Sequence, residues 1–476
     1  MGAYDPAVTD ADVAFAGIAR QAALLRDREL SSRQLVELYL DRIERLNPSL
    51  NAFTEVLGER AIAEAEAADA RLAAAEHGPL LGVPVAIKDI ADVEGTVTRF
   101  GTGAFDRPAD ADAEIVRRLR AAGAVILAKT TLPELAICGF TESQTTGITR
   151  NPWDIERSPG GSSGGSGAAV ASGMVGAAHA SDGAGSIRIP AAFCGLFGLK
   201  PQRGRVPLEP ADHWFNLSVN GCVTRTVADT ALFLDVVTKG GGDPGGPPAP
   251  SAPFAESARS RPGRLKIAIS EKPVRALAPP IVGDAVKRGL AETEDALRSL
   301  GHEVRRHDPS FGFAPNNFSP RYLGGIREEV AAVPYPERLE SRTRGFARLG
   351  ALYPAPLVRR AARAAAADAA RINRSWEDFD VLVTPTAGEP PIEAGRWEGK
   401  GAIATVIGMS RVYGFTPIWN HTGQPAAAVP AGFTDDGLPL SITLVGKPEA
   451  EPLLLSLAAQ LERERDWPAH RPPATP

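Results

Sequence analysis

The chain has 476 residues, 43% of them hydrophobic and 23% charged, with a formal net charge of −5. That is enough apolar material for a large buried core, and the mild acidity gives no reason to expect nucleic acid or an anionic membrane as a partner. No window reaches the roughly 18 consecutive apolar residues of a membrane-spanning helix.

The opening Met1-Gly2-Ala3-Tyr4-Asp5-Pro6 continues acidic, without the basic start and apolar run of a secretory signal, and Pro6 stands where myristoylation wants Ser or Thr. Three scattered cysteines, Cys138, Cys194 and Cys222, read as free thiols. Together these point to a cytoplasmic protein. Ser31 with Gln34 forms a capping-box pattern. Leu35, Tyr39, Ile43 and Leu46 then recur at helical spacing until Asn47-Pro48 is expected to stop the helix. A helix near 61–76, an apolar strand ending at Lys88, a helix near 113–122 and a strand over 124–127 follow. Gly123 to Thr130 nearly spells a phosphate loop, but Ala128 replaces its second glycine and an apolar strand fills the interior.

Residues 168–180 are small and apolar and predict one buried helix. Residues 240–253 hold ten Gly or Pro in fourteen, which predicts a surface excursion extending to about 263. Strands near 265–269 and 303–304 flank a helix over 282–300. From 309 to 376 the pattern turns helical after a lead-in carrying Phe311, Phe313, Phe318 and Tyr322. Arg342, Arg344, Arg348, Arg359, Arg360 and Arg363 there read as a solvated basic face. Strands near 379–383 and 441–445 precede a closing helix over 451–463. Alternating helices and strands predict an α/β fold: a large mixed, mostly parallel twisted sheet under helical cover.

Chemistry concentrates in Gly160-Gly161-Ser162-Ser163-Gly164-Gly165-Ser166-Gly167 and in Ser181-Asp182-Gly183-Ala184-Gly185-Ser186-Ile187-Arg188, whose serines 162 and 186 stand 24 positions apart. Glycine lets backbone N–H groups turn toward a reacting centre, so a serine there is a candidate nucleophile. Its base is the open question. None of the seven histidines sits in a run built to position one, whereas Lys88 ends an apolar strand able to carry an amine into a dry interior, with Asp89 expected on the opposite face. A flexible linker is the plain alternative for the Gly/Ser run, and the adjoining small-residue helix argues against it. His-Glu-x-x-His, paired Cys-x-x-Cys and acidic calcium loops are all missing from the sequence, which gives no indication of a metal.

Pro84-Val85-Ala86-Ile87-Lys88-Asp89, the Gly-Gly-Ser-Ser-Gly-Gly-Ser block and Asp182-x-x-Gly185-Ser186-Ile187-Arg188-x-Pro190 together resemble the amidase signature family. The resemblance extends through Asn151-Pro152-Trp153-Asp154, Gly204-Arg205-Val206-Pro207 and Gly423-Gln424-Pro425-Ala426. It implies one α/β unit spanning the chain, helices on both sheet faces, and no cofactor. It further implies a triad of Ser186 as nucleophile, Ser162 on a cis peptide as bridge and Lys88 as base, with an oxyanion hole at Gly183, Ala184 and Gly185. Ser163, Asp182 and Arg188 support that site; Ala136, Ile137 and Cys138 are the substrate-binding candidates, in a pocket shaped also by the aromatic lead-in and the region of Trp419. The implied activity is cleavage of a small-molecule amide, carbamate or ester through an acyl-enzyme. A subunit of a tRNA-dependent amidotransferase is the alternative, disfavoured by Ile189 where that group commonly has Gln. The oligomeric state, a homodimer among the options, stays open.

Overall fold

The computed structural model describes residues 9–274 and 278–473. The acidic opening Met1 to Pro6 lies outside them. Two sheets organise the chain. The first runs, edge to edge, through Phe53–Val56, Val125–Thr130, Pro84–Lys88, Ala177–Asp182 and Val219–Thr224. Its three central strands are parallel and the outer two antiparallel. The second runs through Glu303–Arg306, Lys266–Ile269, Val381–Pro385, Pro439–Gly446, Ala426–Phe433 and Gly198–Lys200, parallel at its first end only. A paired bridge between Phe197 and Thr224 joins the two. The α/β class is as anticipated, with a more even mixture of strand directions than the mostly parallel pattern suggested.

Strands 84–88, 125–130 and 177–182 are buried at every position, which is why the first two carry continuous apolar stretches instead of alternating ones. One hydrophobic core reaches from Val13 to Trp467 and takes side chains from both sheets, including Val85, Ile126, Val383 and Leu444. The amphipathic helix Ser32–Leu50 covers the first sheet. Its capping box is present: Gln34 N–H donates to Ser31 Oγ at 3.1 Å and Ser31 N–H donates to Gln34 Oε1 at 2.9 Å.

Four expectations need correction. The helix passes through Pro48 and ends at Asn51, whose φ of 51° makes the left-handed cap; a proline in the last turn removes one N–H without ending the helix. Residues 168–180 are not one helix. The helix is Gly164–Ala171, starting inside the Gly/Ser block, and Gly173 at φ +66° turns the chain into the strand 177–182. The excursion is irregular only to 253, because Phe254–Arg259 is a helix with Phe254 and Ala258 in the core, its first N–H groups held by Asp235. In the lead-in, Phe318 and Tyr322 belong to the helix Ala314–Ala332, Phe311 is buried and Phe313 is exposed.

Helices Ala314–Ala332, Ser341–Gly350 and Ala355–Arg374 pack on one another over a second apolar cluster that includes Phe140, Phe193, Trp214 and Tyr413. Arg342 is not simply solvated. It donates to Trp397 O at 2.6 Å and lies over the Phe140 ring, while Arg359, Arg360 and Arg363 are exposed.

Candidate active site

Parallel pairing places the carboxyl ends of strands 84–88 and 177–182 side by side, with Ala86 opposite Ala178. Lys88 therefore ends beside Ser181, and crevices at such strand ends are where α/β sheets hold ligands. Lys88 is 0% exposed. Its Nζ donates to Ser162 Oγ at 2.7 Å and to Ser181 Oγ at 2.9 Å. Burial pulls its pKa from 10.5 down to about 7, against the opposing pull of the Asp182 charge. Asp89 turns the other way, as strand alternation requires, and pairs with Lys129 at 2.8 Å.

The Gly/Ser block is packed, not free. The Gly161–Ser162 peptide is cis. A Cβ on Gly161 would stand 2.6 to 2.8 Å from the backbone N, C and O of Phe140, so the chain passes where no side chain fits. Ser163 Oγ donates to Ser181 O at 3.2 Å and accepts from Ser181 N–H at 3.4 Å, tying the block to the strand that carries Ser181.

Asp182 organises the second serine. Its carboxylate accepts from Gly185 N–H at 2.6 Å, from Ile187 N–H at 3.2 Å and from Arg188 Nε and Nη2 at 2.9 and 3.0 Å. Both side chains of this pair are fully buried. Burial alone would raise Asp182, and the Arg188 guanidinium more than offsets it, holding the carboxyl at about 2. Arg188 also donates to Asn420 Oδ1 and Thr416 O.

Ser186 is 8% exposed and lines an apolar cavity of about 120 Å³ together with Ala184, Ala136, Ile137 and Cys138. Among the described residues its Oγ has no hydrogen-bond partner, so the structure joins Lys88 to Ser162 and leaves the Ser162 to Ser186 link open. Of the expected oxyanion donors, Gly185 needs correction: its N–H is already engaged by Asp182. The N–H groups of Gly183, Ala184 and Ser186 have no acceptor among the described residues. The region of Trp419 reaches the cavity through Pro417 and Ile418, while Trp419 itself is buried in a separate cluster with Phe311 and Trp376.

Sequence reasoning missed Ser181, Thr416 and Asn420 as parts of the site. Ser181 lay in view, next to Asp182, but its contact with Lys88 depends on a parallel register no local pattern encodes. Thr416 and Asn420 come from more than 200 positions away, and Asn420 Nδ2 donates to Asp182 O and Oδ1, both at 2.8 Å. Cys138, Cys194 and Cys222 are free and buried, and burial pushes Cys138 and Cys222 up to about 12.

A buried amine bonded to two serine hydroxyls, with a further serine on the wall of an apolar cavity, brings together the residue types of nucleophilic hydrolysis. The sequence matches the Amidase family over residues 34–455. It is 48% identical over 471 residues to AmiB2 of Mycobacterium tuberculosis, whose name carries a provisional amidase assignment, covering 97% of this chain and 99% of that protein. Among solved structures, 6-aminohexanoate cyclic dimer hydrolase complexed with substrate superposes with a TM-score of 0.88 at 32% identity over 97% of this chain and 100% of that one. Peptide amidase from Stenotrophomonas maltophilia superposes with a TM-score of 0.76 at 26% identity, covering 96% and 98%. The chain belongs to the amidase signature family of amidohydrolases. Among the described residues no helix is long and apolar enough to cross a membrane.

Proposed function

We propose that the chain is a stand-alone amidohydrolase of small-molecule amides, or of related carbamates or esters, working through an acyl-enzyme on Ser186. Neutral Lys88 takes the proton of Ser162 as Ser162 takes that of Ser186, and Ser186 Oγ attacks the carbonyl carbon. The open Ser162 to Ser186 link closes when substrate fills the cavity, since catalytic hydrogen bonds commonly tighten only then. The oxyanion accepts from the N–H groups of Gly183, Ala184 and Ser186, each such donor contributing about 3–4 kcal/mol to the barrier. The proton held on Lys88 returns through Ser162 to the leaving nitrogen, and the amine departs. Water then attacks the ester by the same relay and releases the acid.

One observation carries this reading: a fully buried lysine whose hydrogen-bond partners among the described residues are two serine hydroxyls, one of them in the glycine block, with a third serine on a cavity wall. The purified chain alone should hydrolyse simple amides, with Ser186→Ala and Lys88→Ala abolishing turnover in folded protein. A phosphonyl fluoride should label Ser186, as mapped by mass spectrometry. Normal turnover by either variant, or labelling elsewhere, overturns the assignment.

A further inference from the structure

Trp214 stands between two cavities. It lines the apolar cavity that holds Ser186, and it also lines a neighbouring cavity of about 760 Å³ that reaches Ser181 and is walled by Asp212, Glu328 and Glu329. The indole is 6% exposed and wedged between two backbones. A Cβ on Gly183 would come within 3.0 Å of its six-membered ring, and a Cβ on Gly325 within 2.8 Å of its five-membered ring. Glycine at both positions is what lets the ring lie flush against the loop that carries Ala184 and Ser186.

The turn that presents this ring is unusual. Trp214, Phe215 and Asn216 have φ values of 50°, 54° and 64°, three successive left-handed residues, none of them glycine. Side chains crowd against Cβ in this region, so such a run persists only where its surroundings over-determine it, and these outliers gather at functional sites. The restraints are present. Arg321 donates to Phe215 O and Asn216 O, and His213 bonds Ser218 Oγ at 2.7 Å and Glu329 Oε1 at 2.6 Å. Asn420, which also holds Asp182, donates to Leu217 O at 3.2 Å. The turn is thus anchored to the network that positions Ser186.

Among the described residues no charged side chain lines the apolar cavity, whose closest walls include Ile137, Phe318, Tyr322 and Met409. Its volume of about 120 Å³ is a little below that of a cavity of roughly 150 Å³ that admits benzene, so it holds on the order of five or six non-hydrogen atoms. A charged group there would lose its hydration without a partner.

We propose that the substrates are amides with a neutral apolar acyl group of about that size, and that Trp214, held on its left-handed turn, is the partition that sets the limit. This rests on the amidohydrolase reading above. Shortening the indole joins the apolar cavity to the larger one behind it.

The test is kcat/KM of the purified chain for hexanamide, 6-aminohexanamide and dodecanamide, in wild type, Trp214→Ala and Trp214→Phe. Wild type is expected to prefer hexanamide over the cationic 6-aminohexanamide by roughly thirtyfold or more. The dodecanamide-to-hexanamide ratio is expected to rise about tenfold in Trp214→Ala and by less in Trp214→Phe, which carries the test if the alanine variant fails to fold. A general loss of folded protein lowers both amides alike and leaves this ratio unmoved. A cationic acyl group accepted within threefold of the neutral one, or a chain-length ratio within twofold of wild type in the folded variants, overturns the proposal. Phosphonyl fluoride labelling of Ser186 and turnover of hexanamide by wild type report on the underlying activity separately. If both hold and the ratios do not move, the partition alone is wrong.

Discussion

The buried amine makes a quantitative prediction about pH. A lysine with its ordinary pKa of 10.5 would be neutral in only roughly three molecules in ten thousand at pH 7, whereas one at about 7 is half neutral. Burial of Lys88 thus raises the population of the competent base roughly a thousandfold. If that amine must accept the first proton, kcat/KM for a neutral amide should fall tenfold per pH unit below about 6, pass a midpoint near 7 and level off by about 8.5. This parameter reports on the free enzyme, so substrate binding does not blur the assignment. The sign for stability follows from the same lowered value. Between about 7 and 10.5 the unfolded chain holds a proton on this residue that the folded chain has released, so the Lys88 contribution makes the fold more stable as pH rises through that window. A profile flat from pH 5.5 to 9, or one that declines above 8 with no acid limb, would refute the neutral-lysine reasoning.

Two further outcomes separate the parts of the site. Ser181→Ala removes a hydroxyl that accepts from Lys88 Nζ at 2.9 Å; losing about 1 kcal/mol of orientation should lower kcat several-fold and move the acid midpoint downward, because that acceptor favours the charged amine, and an upward move would contradict the assigned role. Arg188→Met leaves the Asp182 carboxylate buried and uncompensated, so urea denaturation should show a loss of about 3–5 kcal/mol, and an unchanged midpoint would mean the pair is not a structural unit.

Legibility in the sequence followed the range of the forces involved. The capping box at Ser31 and the apolar strand before Lys88 depend on neighbours within a few residues, and both stand as read. The small-residue segment misled because alanine and glycine fit a buried helix and a buried strand equally well. What divides residues 168–180 is the turn at Gly173, one of two glycines in an alanine-rich run. The serines and the lysine could be picked out by composition and by resemblance. Ser181 as a partner of Lys88 could not, since it follows from pairing Ala86 with Ala178 across 92 positions. Trp214 was beyond reach for a similar reason: nothing local in His-Trp-Phe-Asn announces three left-handed residues, which are imposed by Arg321 and Asn420 from distant helices.

The charges around Lys88 explain why this lysine, and not a paired one, is free to act as a base. Two carboxylates lie close to it, Asp89 in sequence and Asp182 in space, and either could have locked the amine in its protonated form. Each is taken by another cation. Asp89 pairs with Lys129 on the far side of the strand, and Asp182 is gripped by Arg188 through two nitrogens. Among the described residues Lys88 is left with hydroxyl partners only. The fully buried Lys200, which donates to Pro201 O at 2.9 Å and pairs with no carboxylate among the described residues, is likewise brought down to about 7. Burial, helped at Lys200 by the nearby Arg188 charge, thus lowers both amines, and what singles out Lys88 is the pair of serine hydroxyls at the end of its strand. On this argument the Asp182–Arg188 pair has a chemical role beyond holding the Ser186 loop: by occupying the nearest carboxylate, it keeps that anion from claiming the base.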